Sequence, residues 1–254
     1  ANPSIVQMPL YLSSPGQILD RIDPVAAGYT TTVQTAELAW NATTNTTFSL
    51  NPSLCNDLII KAQTIEVQVY ISVTNGTMPI NPNITALIKY GSTNIINLSN
   101  PVYNSSTGIL SWSAVLGADV TVPAGQVVDL RITTAHTNVR FRIDYHSNTK
   151  PSRISLFPVS TYLEFLSFDI YDAPYPAGTK RIRGNTNQIY YARAKVTTPF
   201  GYKDITGMDI SLTPPGSIYP VNCVDSTACT RTFEYPWTTS TSVGTYYLLA
   251  TAKE

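Results

Sequence analysis

The 254-residue chain carries 16 Lys and Arg against 16 Asp and Glu, a formal net charge of zero, and only 13% of its residues are charged, about half the usual share of roughly 25%. A 43% apolar content is enough for a packed core and excludes a disordered chain. The neutral balance lacks the electrostatic footprint of a nucleic-acid binder, and no apolar run approaches the roughly 20 residues that span a bilayer, so neither nucleic acid nor membrane insertion is expected.

The chain opens on an apolar segment, Ser4-Ile5-Val6-Gln7-Met8-Pro9-Leu10-Tyr11-Leu12-Ser13-Ser14, where a polar tail is the ordinary expectation. Ile5, Val6, Leu10 and Leu12 must be buried, either in the chain's own sheet or in that of a neighbouring copy by β-augmentation. Pro9 interrupts the ladder at one position, which an edge tolerates. The second alternative predicts a homopolymer in which this segment crosses the subunit interface, continuing indefinitely unless its rotation closes a ring.

Short helical stretches are expected only around Gln34 to Trp40 or Pro52 to Asp57. After them the pattern alternates with period two, the signature of half-buried strands. The runs are 65–73, 84–90, 109–116, 127–133 and 139–145. In the last, Val139, Phe141, Ile143 and Tyr145 fall on one face and Arg140, Arg142 and Asp144 on the other. Trp112 shares its face with Leu110 and Ala114, which argues for a core position. A break near residue 160 precedes a second series, 162–171, 188–197, 204–213, 231–235 and 244–252. The chain reads as all-β, a jelly-roll-like sandwich over 1–160 followed by an immunoglobulin-like sandwich over 161–254.

Chemistry-bearing residues are sparse. Cys223 and Cys229 flank a polar turn, and their spacing suits a disulfide across a hairpin with Cys55 left reduced. Zinc is the competing use, although no second pair or nearby His completes four ligands. His136 and His146 have no acid or Cys partner implied by spacing and read as surface residues. No hydrolase elbow, zinc-protease motif or phosphate-binding loop occurs, so no catalytic residue, metal or cofactor is assigned. Asp169 and Asp172 are the weak calcium candidates, with an Asx-type turn into Ala173-Pro174 as the plainer reading. Six Asn-x-Ser/Thr sequons at Asn41, Asn45, Asn75, Asn83, Asn97 and Asn104 are the candidate glycosylation sites.

There are 16 Tyr against 7 Phe. Exposed Tyr, with Trp40, Trp112 and Trp237, could furnish a sugar platform or a protein interface, although strand propensity explains most of the Tyr. Tyr190-Tyr191 and Tyr246-Tyr247 each place one ring toward the core and one toward solvent.

Three segments carry a resemblance. They are Arg142 to Ile154 (RIDYHSNTKPSRI), Val196 to Gly207 (VTTPFGYKDITG) and Gly244 to Glu254 (GTYYLLATAKE). They resemble a recurrent module of large bacterial exported and surface proteins, in which the second reads V-x-D-P-F-G-x-x-D-I-T and the third closes an immunoglobulin-like domain. Here Thr198 stands where Asp is common. The resemblance implies an extracellular location and a scaffold-like role, and it transfers no active site. A chain that begins at Ala1 without Met is also expected of an exported protein after removal of a signal peptide. The reading is a non-enzymatic structural subunit of a filament, sheath or surface layer, its partners being copies of itself. The alternative is a cell-surface carbohydrate-binding or adhesive module, with surface glycans as partners.

Overall fold

Alternation is the local rule that builds this molecule: inward positions are apolar, outward positions are Thr, Ser, Asn or charged, and the pleat separates them. The computed structural model describes residues 5–38, 44–135, 139–160, 163–213, 217–241 and 243–253. They form strands joined by turns, with one 3₁₀ turn at Tyr202–Asp204 and no α-helix among the described residues. The expected helical stretches are corrected accordingly. Val33–Gln34 is a short strand against Asp144 and Tyr145, Leu38 bridges to Phe141, and 52–57 is turn and irregular chain. Trp40 lies outside the described residues. The chain divides into two compact units, Ala1–Thr161 and Tyr162–Glu254.

In the first unit the long Thr64–Asn75 strand organises the sheet. One of its edges takes Ile109–Val115. The other is shared in sequence, by Arg140–Tyr145 along 70–75 and by Arg153–Leu156 along 66–68. Ile65, Val67 and Val69 alternate into the core with Leu110 and Trp112, all 2% exposed or less. The Trp112 indole N–H donates to the Ile84 carbonyl at 3.1 Å, so its one polar atom is satisfied in the interior. Val139, Phe141, Ile143 and Tyr145 are all buried, as their alternation required.

Asp144, from the polar face of the same run, is also fully buried. It is accepted there because Gln34 Nε2 and Ser72 Oγ donate to its two oxygens at 2.6 Å each and the Lys150 ammonium pairs with it. A buried charge without such partners would be expelled or neutralised.

The N-terminal segment is consumed inside this unit. Pro9 divides it into two strands that pair in different sheets. Ile5–Gln7 lies against Pro158–Ser160 at the edge of a four-stranded sheet. Leu10–Ser13 lies between Arg153–Leu156 and Ile18–Asp20 in the larger sheet. Leu10 and Leu12 are 0% exposed, whereas Ile5 is 48% exposed. Within the single chain, both halves of this segment pair inside the first unit.

The second unit is a sandwich. One sheet has the order Lys180–Arg181, Glu164–Tyr171, Ile189–Thr197, Thr230–Thr238, Asn222–Ser226; the other is Ser217–Pro220, Gly207–Thr213, Tyr247–Lys253. Ala194, Val196, Ile205, Met208 and Phe233 form the core between them. The 199–205 stretch between the sheets is a closed turn. Thr198 Oγ1 donates to the Gly201 carbonyl and the Gly201 N–H returns to the Thr198 carbonyl, each at 3.1 Å. Gly201 sits at φ 77°, ψ −161°, a conformation that favours glycine. Thr198 thus supplies a turn-closing hydroxyl.

Candidate assembly site

The two sheets of the second unit are unequal, five strands against three, and the mismatch leaves a seam. Cross-strand partners share a face, so the register identifies the inward residues on each side. On the larger sheet, Phe165, Phe168 and Ile170 stand opposite Val196, Ala194 and Ala192. On the smaller, Leu248, Ala250 and Ala252 stand opposite Leu212, Ile210 and Met208. The inner-strand members of these pairs are at most 5% exposed. Their outer-strand partners are only half-buried, and Phe165 is 40% exposed.

An apolar stripe therefore faces inward while staying only half-buried. Phe168, Ala250 and Ala252 rest on one core cluster, and Ile170 and Leu248 line a cleft of about 470 Å³ where the seam ends. Tyr190 and Trp237 close the back of that cleft.

Tyr247–Lys253 pairs only with Gly207–Thr213, so its other edge has no strand beside it among the described residues. An unguarded edge is a template for another strand. Residues 247–252 contain no charge and no Pro, and Lys253 at the end is paired with Asp209 at 2.7 Å. On the outward face Leu249 and Ile218 flank Ser211 and are 65% and 68% exposed. Tyr247 is 70% exposed while Tyr246 is half-buried, and Tyr190 is buried beside half-buried Tyr191.

The cysteines require a correction. Cys223 is a free, exposed thiol, whereas Cys55 and Cys229 are each disulfide-bonded, so the expected Cys223–Cys229 bridge with Cys55 reduced does not form. The expected hairpin does form, Asn222–Ser226 against Thr230–Thr238, but Cys223 stands opposite Phe233. Cys229 lies in the turn, three residues below Cys223 on the ladder or more. That is roughly 10 Å at about 3.3 Å per residue, beyond the ~7 Å Cα separation a disulfide allows. The turn needs no staple of its own. Thr227 N–H donates to the Thr230 carbonyl at 2.9 Å, and the Cys229 and Thr230 N–H groups donate to Thr227 Oγ1.

The two calcium candidates are already neutralised. Asp169 pairs with Lys180 at 2.5 Å and Asp172 with Arg181 at 2.5 Å. The Thr179 N–H donates to Asp172 at 2.6 Å; this bond and the Arg181 guanidinium hold the Asp172 carboxyl below its usual range. The pair closes the 172–179 turn, and no group of three or more His, Cys, Asp or Glu able to hold a metal occurs among the described residues.

His146 anchors a corner. Its Nδ1 accepts the Ser14 N–H at 3.2 Å and lies 2.9 Å from Ser13 Oγ, and its ring packs on Tyr29 at 4.4 Å. His136 and Asn41 lie outside the described residues. The other sequon asparagines, Asn45, Asn75, Asn83, Asn97 and Asn104, are all exposed. Asn104 Oδ1 also accepts the Ser106 N–H in an Asx turn. Among the described residues no helix is long and apolar enough to cross a membrane.

No protein-family model matches the chain, and no curated protein matches it in sequence. The seam was invisible to periodicity because alternation marks which side of a strand faces in, not whether anything covers it.

Proposed function

We propose that this chain is a non-enzymatic structural module of an extracellular assembly, joined to further copies of itself by a β-strand laid along Tyr247–Lys253. The observation that carries the reading is the seven-residue edge that has no partner strand among the described residues, beside inward apolar residues that are only half-buried. A strand from a second copy added there extends the three-stranded sheet and covers the stripe, combining main-chain hydrogen bonds with apolar burial of about 25 cal/mol per Å² before ordering costs. Zero net charge removes long-range repulsion between copies. The disulfide supports an oxidising, extracellular setting, in line with the resemblance to exported bacterial modules. Exposed sequons would carry sugar only in an organism that N-glycosylates.

The test is the association state of the purified chain. Electron microscopy and light scattering should show ordered polymer that grows with concentration. Leu249→Lys, which places a charge on the outward side of the edge without touching the core, should return the chain to monomer with an unchanged melting temperature. A chain that stays monomeric at every concentration, or a Leu249→Lys variant that still polymerises, overturns the strand-edge reading.

A further inference from the structure

A second cleft opens at the same end of the second unit, of about 540 Å³. Trp237 and Tyr246 line both clefts, and Tyr219 and Tyr235 stand in the second alone. The register explains why aromatic rings collect here. Tyr235 and Trp237 share the inward face of their strand with Phe233, opposite Ala192, Tyr190 and Ala194. Tyr219 shares the inward face of its own strand with Ile210. Toward the core this face is dry; at its end it meets solvent.

The rings are held in pairs. Tyr219 and Tyr235 stack at 4.8 Å and 22°, and Trp237 meets Tyr246 edge to face at 5.2 Å and 63°. Each ring is half-buried and held in place by its neighbour. This arrangement lowers the entropy lost when a ligand docks. Burial and the Tyr219 hydroxyl raise the Tyr235 phenol above its ordinary value. Thr238 and Ser240 add hydroxyl oxygens to the rim, and among the described residues no charged side chain lines the cleft.

We propose that this cleft binds a neutral saccharide, with the Trp237 and Tyr246 rings receiving the C–H face of a sugar and the Tyr and Thr238 hydroxyls pairing with its own. The volume lies within the range of small-ligand sites, and a lining that is half aromatic with a few polar groups is in keeping with their chemistry. The absence of lining charge selects against sugar acids and phosphorylated sugars, which need Arg or Lys partners. Aromatic rings offer large contact area at two rotatable bonds each. The site does not depend on the strand edge and stands whether or not the chain polymerises.

The experiment is affinity electrophoresis of the whole chain through gels containing starch, mixed-linkage β-glucan, xylan or galactomannan. Titration calorimetry with the hexasaccharide of any retarding polymer follows. At least one polymer should retard the wild-type chain, and Trp237→Ala should weaken the hexasaccharide at least tenfold. Tyr235→Phe, which keeps the ring and removes one hydroxyl, should stay within about threefold. Tyr246→Ala serves the same purpose if near-ultraviolet dichroism shows that Trp237→Ala disturbs the sandwich. Failure of every polymer to bind overturns the proposal. So does binding that both ring deletions leave unchanged, or a proline-rich peptide that binds this cleft where no sugar does.

Discussion

Arg193 and Glu234, directly opposite on adjacent strands, form an ion pair at 2.7 Å in which neither residue is more than 8% exposed. The pair lies on the outward face of the five-stranded sheet, and its burial comes from the 172–179 segment folded over it. Arg193 Nη2 donates to the Ala177 carbonyl at 3.0 Å, the Tyr175 N–H donates to the Glu234 carboxylate at 3.0 Å, and the guanidinium lies over the Tyr171 ring at 4.0 Å. Tyr175 completes the cover by donating its hydroxyl to Asp225 at 2.7 Å. Every donor and acceptor that desolvation would penalise thus has a partner.

Removing one member leaves the other charged, buried and unpaired, which costs about 3–5 kcal/mol. Glu234→Ala should therefore lower the unfolding midpoint of the second unit sharply and free the 172–179 segment. Limited trypsin digestion should then cleave at Lys180 or Arg181 far faster than in wild type. Equal cleavage rates would mean that the pair does not hold the segment.

The N-terminal segment should behave as core. Leu12 is 0% exposed and its N–H donates to the Ser152 carbonyl at 2.8 Å. Leu12→Ala should cost about 2–5 kcal/mol, and deletion of residues 1–13 should unfold the first unit. A truncated chain with wild-type dichroism and urea midpoint would show that this strand is dispensable to its own sheet.

Peptide mapping of the unreduced protein should recover Cys223 alkylated and Cys55 and Cys229 protected from alkylation. Cys223→Ser, at an exposed position, should shift stability by no more than about 0.5 kcal/mol. A Cys223-to-Cys229 cross-link would contradict the hairpin register.

Asp172 gives a signed pH effect. Its carboxyl is held below its ordinary value of 3.8 by the Thr179 N–H and then by Arg181. The unfolded chain therefore binds the proton first as pH falls. The stability Asp172 contributes is present above the unfolded value and is lost as pH falls through the folded one. Asp172→Asn should melt below wild type at neutral pH, with the gap closing at about pH 2. A gap that stays constant across this range would assign the difference to shape rather than charge.

What the sequence alone determined is the set of strands with strong alternation. The run 84–90 matches its observed strand end for end, and the faces of 139–145 and 109–115 are the ones that are buried. The strands Thr44–Leu50, Thr93–Leu98 and Ser217–Pro220 escaped, because Thr, Asn, Ser and Pro blur the apolar–polar alternation that marks a strand. Alternation is a property of consecutive residues, so it survives in one dimension. The free state of Cys223, the two-sheet crossing at Pro9, the cover over Arg193 and the edge at Tyr247–Lys253 are decided by which distant segments come together. Only the tertiary structure fixes that, because the gain from pairing depends on the total apolar area covered and on satisfying every buried polar group.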